Sequence, residues 1–266
     1  MVQSQAVGDL LREWRRRRRL SQLDLACEAD ISTRHLSFLE TGRSQPSREM
    51  VLRLAEQLDI PLRERNLMLI AAGYAPVFTE RSLEDPALDA ARRAVDLVLA
   101  GHEPYPAIAI DRHWTLIASN NAMPSMLAGV DPFLLQPPVN VLRLSLHPAG
   151  LAPRIANLRE WRSHLLERLR RQIDITADSV LVELINELGD YPIPEGASSS
   201  EHDTGREYAG VIVPFQYVTE AGTLSFFSTT TIFGTPVDIT LSELAIESFF
   251  PADAATAEAV RRLAHR

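Results

Sequence analysis

The sequence predicts two domains: an all-α head of five short helices over residues 1–75, then an α+β body over residues 76–266 built on a five-stranded antiparallel sheet. Three observations carry this. Helix-start signals crowd the N-terminal part of the chain, at Ser21, Ser32 and Ser47. A junction marked by Gly73, Pro76 and Asp85-Pro86 comes next. Beyond it, apolar alternating runs come first as a pair and, after several helical segments, as a group of three.

In the head, Leu10, Leu11 and Trp14 sit at helical spacing, so residues 7–19 predict an amphipathic helix. Ser21 with Asp24, Ser32 ahead of Leu36 and Leu39, and Ser47 ahead of Val51, Leu54, Ala55 and Leu58 begin three more helices. A fifth spans about 62–72. The stretch from Ser21 to Thr41 is therefore helix, tight turn, helix, with small Ala26 allowing close approach and Ile31 plugging the turn, a helix-turn-helix geometry.

In the body, a helix runs from Asp85 through Ala91, Val95 and Leu99 to Gly101. PAIAIDRHWTLIASN then alternates around a turn at Asp111 and Arg112, giving two strands. Helices are expected near 119–128 and 139–146, then a long one over about 153–174 whose apolar stripe is Leu158, Trp161, Leu165, Leu169 and Ile173. Another short helix closes near Leu188. Residues 190–207 are polar and rich in Pro, Gly and Ser, which predicts a loop. The runs GVIVPFQYV, GTLSFFSTTTIF and PVDITLSEL read as three strands, and a helix from about 252 ends the chain.

Composition excludes several chemistries. All 27 basic residues are Arg, so no Schiff-base, phosphate-loop or carrier lysine exists. The single cysteine, Cys27, rules out an internal disulfide and any paired-cysteine metal site. Asp9, Glu13 and an arginine run stand where a signal peptide would need an apolar core, and no stretch of 18 apolar residues occurs, so a cytoplasmic protein with no membrane partner is expected. Residues 1–75 hold twelve Arg against ten acidic residues; residues 76–266 hold fifteen against twenty-five. A weakly basic head on an acidic body suits an anion-binding module joined to something that is not one. Taken by itself, the run Arg15 to Arg19 reads first as a solvated face complementing the C-terminal end of the first helix.

LSQLDLACEADISTRHLSFLETGRSQPSREMVLRLAEQLDIP resembles the DNA-binding domain of the phage-repressor (XRE, or Cro/C1) class. The resemblance implies duplex operator DNA as partner, Gln22 at the start of helix two, Ser32 capping the recognition helix, and Glu40-Thr41-Gly42-Arg43 at its end. The turn position usually held by Gly is Asp30, which adopts φ > 0 only at some cost. Recognition-helix placement makes Thr33, Arg34, Ser37 and Phe38 the base-facing candidates. Arg34 matches a guanine edge or a phosphate; Phe38 matches a thymine methyl, or else extends the core or an interface; Gln22 and Arg43 suit phosphates. The resemblance also implies an Arg15–Glu40 ion pair tying helix one to the end of the recognition helix.

Two strands, several helices and three strands form the order of a PAS-like unit. NVLRLSLHPAGLAPRIANLREWRSHLLERLRR and FFSTTTIFGTPVDITLSELAIESFFPAD, with AAGYAPVF at the junction, resemble the MmyB-like ligand-binding domain. That resemblance implies a one-component transcriptional regulator, with a small-ligand sensor and a DNA reader on one polypeptide. A homodimer is expected on separate grounds, because one short helix in one major groove makes too few contacts for useful specificity. An apolar pocket walled by Leu142, Leu146, Trp161, Val213, Phe215, Tyr217 and Phe226, with His147 or Arg154 as polar handle, is the candidate site. Taken singly, each apolar wall residue reads first as plain core, because large side chains at periodic positions usually just fill space. The apolar composition favours a small apolar or amphipathic effector, with a fatty-acyl-like molecule first among candidates, because each buried methylene contributes about 0.8 kcal/mol without a directional partner.

No cofactor motif is present, and catalysis is not expected. His102, His113, His147, His164 and His202 are scattered, with no HxH, HExxH, GxSxG or phosphate loop. The alternatives to an effector-binding regulator are an antitoxin-like interaction module without a cavity and an enzyme with a polar cleft of converging titratable groups.

Overall fold

The computed structural model describes residues 6–193, 212–220 and 222–264. Five helices open the chain: α1 (Val7–Arg17), α2 (Gln22–Glu28), α3 (Thr33–Glu40), α4 (Arg48–Gln57) and α5 (Leu62–Ala71). Their starts are set by local chemistry. The hydroxyls of Ser21, Ser32 and Ser47 accept the backbone N–H of Asp24, His35 and Met50, satisfying donors that each first turn leaves orphaned. At Ser21 the bond is reciprocal, since Asp24 accepts the Ser21 N–H at 2.9 Å. The α2–α3 turn passes through Asp30 at φ 52°, and the Ile31 N–H returns to the Ala26 carbonyl at 2.9 Å. Leu11, Trp14, Leu25, Leu36, Leu39, Leu54 and Leu69 fill the core between the helices. α1 passes so close to the end of α3 that a Cβ at Gly8 would lie 2.5 Å from the Leu39 carbonyl oxygen.

The first of two compact units takes in the chain up to Arg81 together with residues 174–177 and 236–242. Within it, the Ile239 N–H donates to the Thr79 carbonyl, the Thr240 hydroxyl donates to the Arg81 carbonyl, and Arg81 pairs with the buried Asp238 at 2.9 Å.

The second unit holds α6 (Asp89–Gly101), β1 (Ala107–Ile110), β2 (Leu116–Ser119), α7 (Met123–Met126), α8 (Val141–Leu146), most of α9 (Leu158–Thr176), α10 (Ser179–Asp190), β3 (Phe215–Thr219), β4 (Gly222–Ile232), β5 (Ala245–Pro251) and α12 (Ala254–Ala264). The remaining helix, α11 (Ile239–Ser242), belongs to the first unit. The strands form one antiparallel sheet in the order β2-β1-β5-β4-β3. Strand alternation sorts the side chains by face. Ile108 and Ile110 join Phe215 and Phe226 against Trp161, Leu165 and Leu169 of α9. Ala107 and Ala109 point the other way, where their small size admits Val95 and Leu99 of α6.

Two expectations need correction. PVDITLSEL is not the third late strand: Asp238 accepts the Thr240 N–H at 2.9 Å and starts the short α11, and the strand that pairs with β1 and β4 is the next segment, AIESFFP. The long helix starts at Leu158 instead of 153, because Ala152–Arg154 form a separate 3₁₀ turn. Most of the loop expected over 190–207 lies outside the described residues.

Candidate nucleic-acid interface and effector cavities

Several arginines of the head are engaged within it. Arg15 grips Glu40 bidentately, Nε to Oε1 at 2.6 Å and Nη2 to Oε2 at 2.9 Å. Arg12 donates to the Glu40 carbonyl, Arg18 to the carbonyls of Leu58 and Asp59, Arg65 to that of Ile60, and Arg17 pairs with Glu13. Within the basic run, Arg15 and Arg18 thus tie α1 to the ends of α3 and α4. Among the described residues, Arg34 and Arg43 pair with no carboxylate, and both sit beside Phe38, their guanidinium carbons 5.3 and 5.9 Å from its ring centre.

Ser32 caps α3, which sets Thr33 and Arg34 in its first turn with Ser37 and Phe38 one turn on. Leu36 and Leu39 are buried, so the opposite side of α3, with Arg34 exposed and Phe38 half-buried, is the open one. Gln22 is engaged from within: its Nε2 donates to Glu40 Oε2 at 2.8 Å. Burial opposes charge on Glu40, yet the hydrogen bonds from Arg15 and Gln22 and the charges of Arg15 and Arg12 together hold its carboxyl below the ordinary glutamate value. The Gln22 contact was not foreseen from the sequence, because it joins residues 18 apart.

In the second unit two cavities flank Met126, which lines both. The inner one, about 90 Å³, lies between the sheet and α8 and α9, with Leu142, Trp161, Phe215, Ile108 and Trp114 among its walls. The outer one is an open chamber of about 1090 Å³ with Arg154, Tyr217, Phe226, Val260 and Glu103 among its walls. Of the residues singled out in the sequence, Leu142, Trp161 and Phe215 therefore line the inner cavity, and Arg154, Tyr217 and Phe226 the outer. Leu146 is buried core, Val213 packs against that core, and neither they nor His147 line these two cavities. The His147 ring stands edge-on to Phe133 and Tyr191, its Nδ1 accepting the Ala149 N–H at 3.0 Å.

Arg154 pairs with no carboxylate among the described residues; its guanidinium carbon lies 5.1 Å from the ring centre of Tyr217. The Tyr217 hydroxyl donates to the Met126 carbonyl at 2.6 Å, and burial pushes the phenol pKa up against the opposing Arg154 charge. The inner cavity has a polar end that sequence reading missed. Arg168 donates to Glu247 Oε1 at 2.5 Å, Thr230 donates to the same oxygen at 2.7 Å, and the Arg168 guanidinium lies 4.9 Å from the Trp114 ring centre. His164, stacked on Trp161, has its pKa pushed down by burial and by Arg168. Among the described residues, no group of His, Cys, Asp and Glu side chains could hold a metal ion, and no helix is long and apolar enough to cross a membrane.

Comparison with known proteins agrees with this division. Residues 11–65 match a family described as helix-turn-helix, and residues 91–263 match one described as the MmyB-like transcription regulator ligand binding domain. A protein of Methanoculleus marisnigri, provisionally named an HTH-type transcriptional regulatory protein, is 34% identical over 116 residues, which cover 42% of this chain. The matched stretch spans 37% of that protein's length. These descriptions point to a transcriptional regulator and not to an enzyme.

Proposed function

The chain belongs to the MmyB-like transcription regulators, with a helix-turn-helix and a ligand-binding domain on one polypeptide, and from that premise we propose that residues 1–75 bind a specific operator as a homodimer under control of a small, largely apolar effector held by residues 76–266. One recognition helix in one major groove makes few base contacts, and two half-sites multiply them. The observation that supports the DNA reading is the open side of α3. We take Thr33, Arg34, Ser37 and Phe38 as the base-facing set, with Arg43 and, from the start of α2, Gln22, whose amide is shared with Glu40, as the phosphate contacts. A random-library binding selection is expected to return an enriched motif, with Arg34→Ala losing about 1–3 kcal/mol of discrimination at one base pair while non-specific binding persists. Equal weakening on every sequence would make Arg34 a phosphate contact only.

The effector reading rests on the apolar inner cavity lying one side chain away from a chamber walled in part by Arg154, which has no carboxylate partner among the described residues. An interaction module needs no such space. We assign the effector as an acyl-like amphiphile with its polar end at Arg154 and its chain directed past Met126. The inner cavity holds about three water-sized groups as it stands, so a longer chain requires Met126 to move, which its unbranched thioether side chain permits. In a thermal-shift and operator-binding screen, fatty acids of graded length are expected to stabilise the protein progressively. Arg154→Gln should weaken a fatty acid about ten-fold, the loss of one charged hydrogen bond, and leave its methyl ester unaffected. Stabilisation by polar metabolites and by no acyl chain would end this assignment. A stabilising ligand that leaves operator affinity unchanged would not be the effector, because regulation requires differential affinity for two states.

A further inference from the structure

We propose that Arg34, Phe38 and Arg43 act as one reading unit for a thymine directly 5′ of a guanine, and that the unit senses the pyrimidine 5-methyl group. The proposal rests on the DNA reading above and names the base step that reading leaves open.

Phe38 is the starting point. The helix-turn-helix core is closed by Leu36 and Leu39, both almost fully buried, while the Phe38 ring stays half-buried on the open side of α3. An apolar ring there has one favourable partner on a base edge, since the only apolar group in the major groove is the pyrimidine 5-methyl. Arg34 supplies the complementary half. It lies four residues before Phe38, hence on the same side of the helix, is exposed, and pairs with no carboxylate among the described residues. Its planar fork matches O6 and N7 of guanine.

The two groups are in contact, with the guanidinium carbon 5.3 Å from the ring centre. Reading groups this close address neighbouring base pairs, which are stacked about 3.4 Å apart, and not pairs farther along the groove. In a 5′-TG-3′ step the methyl projects beside the guanine O6 and N7 edge, so one stacked Arg–Phe pair covers both. The stack also keeps the Arg34 fork from wandering, so less side-chain freedom is lost on binding. Arg43, 5.9 Å from the same ring, is the third member, placed to hold a phosphate flanking the step. Arg15 and Arg18, by contrast, are spent on Glu40 and on backbone carbonyls and are not free for this role.

The same unit distinguishes modified DNA. 5-Methylcytosine carries the same methyl at the same place, so a methylated CG step offers this unit the edge that a plain CG step lacks.

The experiment uses the full chain and the motif from a random-library selection. Each thymine is replaced in turn by deoxyuridine, which removes the methyl and nothing else. At the thymine 5′ of the Arg34-dependent guanine, deoxyuridine is expected to weaken binding about four-fold, the factor for one buried methyl group. With Phe38→Ala, thymine and deoxyuridine should bind alike at that position. Cytosine there should bind more weakly than thymine, and 5-methylcytosine should recover most of the difference. The deoxyuridine series on the unaltered protein needs no folded variant, so it stands even where Phe38→Ala is unstable. A motif in which deoxyuridine is tolerated at every thymine, or in which the sensitive thymine does not adjoin the Arg34-dependent guanine, overturns the proposal while leaving sequence-specific binding intact. A selection that returns no motif overturns the DNA reading itself.

Discussion

Glu40→Ala is expected to destabilise the head by about 3–5 kcal/mol, the cost of removing one partner of a buried ion pair. Glu40 is 2% exposed at the C-terminal end of α3. Its carboxylate takes both prongs of Arg15 and the amide of Gln22, and Arg12 reaches its backbone carbonyl. Removing it leaves the Arg15 guanidinium, itself mostly buried, facing a void. Arg15→Ala alone strands the carboxylate instead, with Gln22 still bound, and should cost somewhat less. The double variant should recover part of the loss, since neither charge is then left unpaired. Hydrogen exchange of the α1–α4 amides in the full chain reads this out, and strictly additive losses would show that the two residues do not interact. The pH dependence has a definite sign. The Glu40 pKa is lowered on folding, so its contribution is complete above the ordinary value of 4.5 and is lost as pH falls through the lower folded value. The head of the Glu40→Ala variant should lack that acid-sensitive component.

The head was legible in the sequence because its determinants are local. Ser21, Ser32 and Ser47 each bond a backbone N–H three residues on, and Asp30 takes its positive φ within a single tight turn. The body was legible in element order and less so in boundaries, for a physical reason. Asp238 sits in a run that alternates like a strand, and what makes it a helix start includes its partner Arg81, 157 residues away. AIESFFP carries Glu247 where an inward-facing apolar residue would be expected, and the residue that neutralises it, Arg168, is 79 positions distant. Strand register had the same limit: only the pairing Phe215↔Phe226 fixes that Phe226 points inward, at 1% exposure, while Phe227 lies on the other face against Phe250. His147, Leu146 and Val213 carry the residue types of a pocket wall, yet the turn after α8 and the course of the chain into β3 set them elsewhere, which no spacing rule reveals.

Trp161→Ala tests whether the space between the sheet and α9 can hold a molecule at all. The indole is 5% exposed, packs on Phe215 with ring centres 5.1 Å apart, and donates Nε1–H to the Ser145 hydroxyl at 3.1 Å. Its loss should destabilise the body by about 3–5 kcal/mol, because the buried aromatic surface, its ring contacts and the partner of Ser145 disappear together. The void would not stand alone. It would merge with the neighbouring cavity of about 90 Å³, giving a space larger than the roughly 150 Å³ engineered apolar cavity that takes up benzene. Added indole should therefore restore part of the stability, by about 2.7 kcal/mol when its free concentration reaches about a hundred times its dissociation constant. The melting temperature of the variant should rise with indole and that of the unaltered protein should not. A destabilised variant that ignores indole would mean that α9 closes onto the sheet when its largest side chain is removed. The inner cavity would then be a packing gap, and the effector would have to be held by the outer chamber around Arg154 and Tyr217 alone.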